Sequence, residues 1–175
     1  MKKIKYIATA LFLGLSLSSC QDYLEEDVRS NVTGEDFYTT EEGYESLVNA
    51  NYAQLKNIYG NEPWLFAAGT DMYAEGRDAE PPGLSQYSQL APNSTGVGQL
   101  YNSCYSAIQS ANTAIYYSDL TEQTTQLQNQ IGEVKYLRAN SYFLLVQTYG
   151  GVGLVTDYIT ERTLEFNRNS AEEVY

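Results

Sequence analysis

The chain has 175 residues, with 22 acidic side chains against 10 basic ones and no histidine, for a formal net charge of −12 at pH 7. That length allows one domain with a real core, and the charge argues against nucleic acid or an anionic membrane surface as direct partner, suiting a neutral ligand or a cationic surface. Without histidine there is no Ser-His-Asp or Cys-His nucleophile, no histidine-held metal and no usual neutral-pH proton carrier, whereas seventeen tyrosines offer flat apolar faces with polar tips.

Lys2, Lys3 and Lys5 precede an apolar run from Ile7 to Leu17, at 11 residues too short to span a membrane. Residues 1–19 therefore read as a secretory leader. The run ends in Leu17-Ser18-Ser19-Cys20, which is similar to the bacterial lipoprotein cleavage motif. Small side chains there let a peptidase reach the backbone, and the Cys20 thiol would then carry a diacylglycerol, with palmitate-type chains, in thioether linkage. More than one acyl chain makes such attachment stable. It would also leave Cys104 unpaired. The acidic stretch Gln21 to Asp27 and the polar, turn-prone Arg29 to Gly34 follow, so residues 20–37 read as a lipid-anchored tether.

Thr39-Thr40-Glu41-Glu42 predicts a capping box, the Thr39 hydroxyl taking an orphan amide while Glu42 reaches back. The helix behind it runs to about Tyr59. Tyr44, Leu47, Val48, Tyr52, Leu55, Ile58 and Tyr59 recur at three and four, giving one apolar face, and Gly60-Asn61 ends it.

Residues 61–98 hold all four prolines, five glycines and the only tryptophan. A long irregular loop is usually functional or disordered, and the centre, Trp64 to Asp78, is too aromatic for disorder. An aromatic face packs against the C–H side of a pyranose, and charged or amide side chains pair with neighbouring hydroxyls. Trp64, Asp71, Tyr73 and Arg77 are the candidate ligand contacts. The plainer account has Trp64 and Phe66 covering helix ends and Asp71 paired with Arg77. The stretch Asp71 to Pro82 fails as a calcium loop because Tyr73 and Pro82 occupy positions that need oxygen ligands. Gly96-Val-Gly98 lacks the third glycine and the preceding strand of a dinucleotide site.

A second helix is predicted over about 99–117, with a stripe of Leu100, Tyr101, Cys104, Tyr105, Ile108, Ala111 and Ile115. Cys104 in that stripe is a small buried apolar group. A third helix begins near 120–122, its first turns glutamine-rich and solvent-facing, and ends at Tyr149. From Gly132 it reads GEVKYLRANSYFLLVQTY, apolar on almost every side and so expected to be buried. Gly150-Gly151 is the expected stop, and Val152 to Thr156 is a short β-type run.

Glu133, Leu137-Arg138-Ala139, Tyr142-Phe143-Leu144-Leu145, Tyr149-Gly150-Gly151-Val152 and Leu154-Val155-Thr156 resemble the helix-then-glycine segment near the N-terminus of the SusD/RagB family of outer-membrane nutrient-binding lipoproteins. That family usually has proline where this chain has Gly153. Arg168 to Tyr175 is also similar to the family and announces another helix, with Ser170 and Glu173 spaced as a capping box. A single turn has no stability alone, so the sequence is expected to be the N-terminal portion of a longer protein.

The resemblance implies an all-α, mostly helical domain over 38–175, truncated at its C-terminal end. Its architecture would be stacked helix pairs of tetratricopeptide type with a long irregular loop, although no clean repeat of about 34 residues is visible. It implies that the acidic cluster after Cys20 is a surface-export signal. It further implies a lipid-anchored, surface-exposed protein of the outer membrane that captures a nutrient, most often a glycan oligosaccharide. The nutrient would be held against a TonB-dependent outer-membrane β-barrel of the SusC-like kind, by binding rather than catalysis and with no cofactor. The alternatives are a surface glycoside hydrolase with paired carboxylates and a structural or adhesin-type lipoprotein without a small ligand.

Overall fold

Hydroxyl side chains set where the helices begin. In the computed structural model, residues 33–60, 64–72, 84–85, 90–94, 96–161 and 167–175 are described, with backbone alone at 64 and 65. They carry helices α1 (Gly34–Tyr38), α2 (Glu41–Tyr59), α3 (Trp64–Ala67), α4 (Val97–Ser118), α5 (Thr125–Tyr149) and α6 (Ala171–Val174). Thr33, Thr40, Thr124 and Ser170 each accept a backbone N–H from the first turn of the helix they precede, which satisfies one orphan donor. At α6 the bond is reciprocal, because Glu173 accepts from the Ser170 N–H at 2.7 Å, the capping box read from the sequence.

At α2 the register differs by one from that reading. Thr40, rather than Thr39, accepts the Gly43 N–H at 3.1 Å, while Thr39 closes α1 by donating to Glu35 O at 3.0 Å. The reason is α1, a five-residue helix within the stretch read as tether. Its last turn presses so close to α2 that a Cβ at Gly43 would lie 1.8 Å from Phe37 O. Only glycine fits there. Likewise α5 starts at Thr125, behind Thr124, and not near 120–122.

Helices α2, α4 and α5 build the core. Asn51 of α2 donates to Ser110 O of α4 at 3.3 Å. Tyr44 shares a buried cluster with Tyr117, and Ile58 shares another with Leu100 and Cys104, so α2 and α4 run antiparallel. Tyr149 reaches Val97 O, and Arg138 reaches Asn112, so α4 and α5 are antiparallel too. Helix α5, about 38 Å long at 1.5 Å per residue, therefore lies parallel to α2: a helical hairpin with the first helix of the next stacked beside it. The α4 seam is lined with small residues, Ala107, Ala111 and Ala114, the last two fully buried, which lets both neighbours approach. Cys104 is buried and unpaired, its thiol pushed up to about 11 by desolvation.

Two expectations about faces are corrected. Tyr52 and Tyr59, placed on the buried stripe of α2, are 44% and 47% exposed. Phe143 on α5 is 52% exposed, because α4 and α2 cover only part of that helix and Val134, Leu137, Tyr142, Leu145 and Val146 fill the covered part.

The run after α5 is not a β-strand. Gly150 turns the chain at φ 72°, and a Cβ at Gly151 would sit 2.2 Å from Asn169 O. Residues 152–157 then lie along α4 and α5, held by side chains. Tyr142 Oη accepts from Val155 N–H at 2.8 Å and donates to Val155 O at 2.9 Å. Asn112 donates to Val155 O and Asp157 O at 2.8 and 3.2 Å, Arg138 to Thr156 O at 3.1 Å, and Tyr105 to Gly153 O at 2.8 Å. With its polar backbone paired this way, the strap needs no partner strand.

Candidate functional site

A groove of about 740 Å³ lies between α4 and the strap, lined by Tyr101, Tyr105, Tyr149, Val152, Val155 and Arg168 among others. The tyrosine rings support one another: Tyr101 meets Tyr105 at 4.7 Å and Tyr149 edge-on at 5.3 Å. Two of their polar tips are already used, since Tyr105 donates to Gly153 O and Tyr149 to Val97 O at 2.5 Å. Burial raises both phenols, that of Tyr149 to about 12, so both remain protonated donors at neutral pH. Arg168 is likewise occupied, donating to Gly151 O at 2.6 Å and Tyr149 O at 2.9 Å at the negative end of α5. Among the described residues of the wall there is no carboxylate. The result is an apolar trough with few free hydrogen-bonding groups, poorly matched to a sugar's ring of hydroxyls.

A second face has the complementary character. Tyr52 of α2 donates to Glu133 of α5 at 2.9 Å, and Asn140 of α5 donates to Tyr59 of α2 at 3.2 Å. Because the two helices are parallel, these contacts form two rungs seven residues apart, about 10.5 Å at 1.5 Å per residue. Beside them on α5, at the same spacing, stand Tyr136 and Phe143, 71% and 52% exposed. The hydrogen bond to Glu133 raises the Tyr52 phenol. Each rung offers aromatic faces with a carboxylate or an amide between them, the mixture that packs on a pyranose and pairs with its hydroxyls.

The upper rung runs into the loop. Phe66 of α3 stacks on Tyr59 at 5.6 Å between ring centroids, so Phe66 does cover a helix end as the plainer account had it, while remaining 40% exposed. Of the predicted contacts, Trp64 opens α3 and Asp71 is exposed in the turn that follows. Tyr73, Arg77 and Cys20 lie outside the described residues. The sequence reading missed Glu133, Tyr136 and Asn140 as surface residues. The available signal was their spacing of three and four along one helix, hidden by the assumption that α5 is buried all round.

Such a stack of paired helices with an aromatic outer face places the chain among all-α proteins built from helix pairs. Residues 22–175 match the SusD-like family described as starch-binding and associating with the outer membrane, and the chain belongs to that family. It is 29% identical over 171 residues to SusD-like protein P25 of Formosa agariphila, and 29% identical over 186 residues to SusD-like protein P38 of the same organism. These matches cover 89% and 99% of this chain but 32% and 36% of the relatives, so it spans about a third of their length. Among solved structures, a SusD superfamily protein from Parabacteroides distasonis superposes with a TM-score of 0.67 at 21% identity, over 83% of this chain and 32% of that one. A laminarin-binding SusD-like protein superposes with a TM-score of 0.68 at 20% identity, over 78% and 32%. The fold is thus the mostly helical, tetratricopeptide-type architecture of that superfamily.

Proposed function

We propose that the chain is the N-terminal part of a glycan-binding lipoprotein of the outer membrane. It takes a neutral oligosaccharide from solution and hands it to a TonB-dependent β-barrel transporter. The observation that carries this reading is the two-rung aromatic face joining α2, α5 and the Phe66 loop, in a family described as starch-binding. Laminarin, named for one structural neighbour, and starch oligosaccharides are the first ligands to try. Trp64, Asp71, Tyr73 and Arg77 would extend the face from the loop. Cys20, acylated after removal of residues 1–19, would hold the domain at the membrane, with residues 20–37 as tether. The role is capture, since rings and hydrogen-bond donors raise ligand occupancy near the pore without breaking a bond.

Calorimetric titration of the chain from Gln21 onward with laminarin and starch oligosaccharides tests this. Tyr136→Ser with Asn140→Ala is expected to weaken binding roughly tenfold, the loss of one or two good polar contacts, with the fold intact by circular dichroism. Asp71→Ala with Arg77→Ala should weaken it similarly. Affinity unchanged in both pairs contradicts the assignment of the face and loop, and oligosaccharide cleavage contradicts capture without chemistry.

A further inference from the structure

The two rungs repeat one another. Tyr52 and Tyr59 stand seven positions apart on α2, as do Glu133 and Asn140 on α5, where Tyr136 and Phe143 keep the same interval. Seven residues fall only about 20° short of two full turns. Each side chain is therefore followed by its counterpart on nearly the same face, about 10.5 Å further along. The surroundings repeat as well. Tyr52 and Tyr59 are almost equally exposed, at 44% and 47%. Each phenol oxygen is fixed by a hydrogen bond across to α5, at 2.9 and 3.2 Å. Rings held at their tips are already ordered, so a ligand that lands on them spends little on side-chain entropy.

A ligand that engages both rungs must offer the same apolar face twice at that interval, each time with hydroxyls toward an acceptor oxygen, the Glu133 carboxylate or the Asn140 amide. Linkage decides which glycans do so. In an extended β-1,4-linked hexopyranose chain each sugar is turned over relative to the last. Alternate sugars therefore present the same face, and the two-sugar repeat has the length of the rung spacing. The α-1,4 chains of starch and the β-1,3 chains of laminarin coil instead, which turns equivalent faces away from a straight pair of helices. Resting on the glycan-capture reading above, we infer that the face selects an extended β-1,4-linked glycan. Alternate sugars of one chain sit on the Tyr52 and Tyr59 rungs, and a trisaccharide is the shortest ligand that reaches both.

Calorimetric titration of the full chain with cello- and manno-oligosaccharides of two and three units, and with laminaritriose and maltotriose, tests this without any substitution. The better β-1,4 series should gain about tenfold in affinity from two units to three, and its trisaccharide should bind about tenfold tighter than laminaritriose or maltotriose. Tyr52→Ser, folded by circular dichroism, should bring that trisaccharide down to the affinity of the disaccharide. Equal affinity for two and three units overturns the inference, as does laminaritriose or maltotriose binding as tightly as the β-1,4 trisaccharide. A trisaccharide that keeps its advantage in Tyr52→Ser does the same. Each of these results leaves glycan capture standing so long as Tyr136→Ser with Asn140→Ala weakens binding. If that pair has no effect, the face is not the site, and the inference falls with the reading beneath it.

Discussion

Asn112 is a single amide that organises three segments. It is 1% exposed, donates to Val155 O and Asp157 O, and accepts from Arg138 at 2.7 Å. Asn112→Ala would take the amide donor from Asp157 O and leave Val155 O with Tyr142 and Arg138 with Thr156 O as remaining partners, and a loss of about 1–3 kcal/mol in urea denaturation is expected from the unmade bonds. A change below about 0.5 kcal/mol would mean that the strap finds other partners. Tyrosines set the alkaline limit. Burial pushes the Tyr44 and Tyr149 phenols up from an ordinary 10.0 to about 12. The folded state thus holds protons that the unfolded chain releases, so stability is complete below pH 10 and declines as pH rises from 10 toward 12. Circular dichroism and tyrosinate absorbance should report these ionisations together with unfolding; tyrosinate from these residues in a still-folded chain would contradict it. At this scale the sequence disclosed Cys104, a thiol in a helical stripe. It could not disclose the Thr39–Thr40 register, which depends on Phe37 O packed against Gly43, or the outward turn of Tyr52 and Tyr59, which depends on where α5 stops covering α2.

Among elements, the three long helices were legible because apolar residues recur at three and four and Gly60 and Gly150 end two of them. Helix α1 was not, since five residues carry too little periodicity to register. The strap was misread as β-type for a physical reason: an extended apolar run looks the same whether its hydrogen bonds go to a strand or to side chains 13 to 48 positions away, as here. The alanine seam of α4 gives the element-scale prediction. Ala111 is fully buried within the cluster that α2, α4 and α5 share, so Ala111→Leu should separate the helices and cost about 1–3 kcal/mol through overpacking. Thermal melts would measure it, and an unchanged melting temperature would show the seam to be looser than its burial implies.

For the whole molecule, stacking was legible from the family segment ending in Tyr149-Gly150-Gly151. The parallel placement of α2 and α5, which creates the two-rung face, was not, because it follows from α4 lying antiparallel to both. The candidate site was therefore half legible: composition pointed to the loop, but the face beside it exists only after the helices pair. Membrane attachment belongs to this scale as well. In cells expressing the complete reading frame, Cys20→Ser is expected to abolish fatty-acid labelling and release the protein from the membrane fraction; labelling that persists would exclude Cys20 as the acylated residue.

The strap has a consequence for redesign. Tyr105, Tyr142, Asn112 and Arg138 grip residues 153–157 through main-chain atoms, so the instructions for that path are written elsewhere in the chain. Val152 is buried and Leu154 packs against the same core cluster, whereas Val155 lines the groove wall and is gripped through its main chain. Varying Val155 alone could reshape the trough while the scaffold beneath keeps its course.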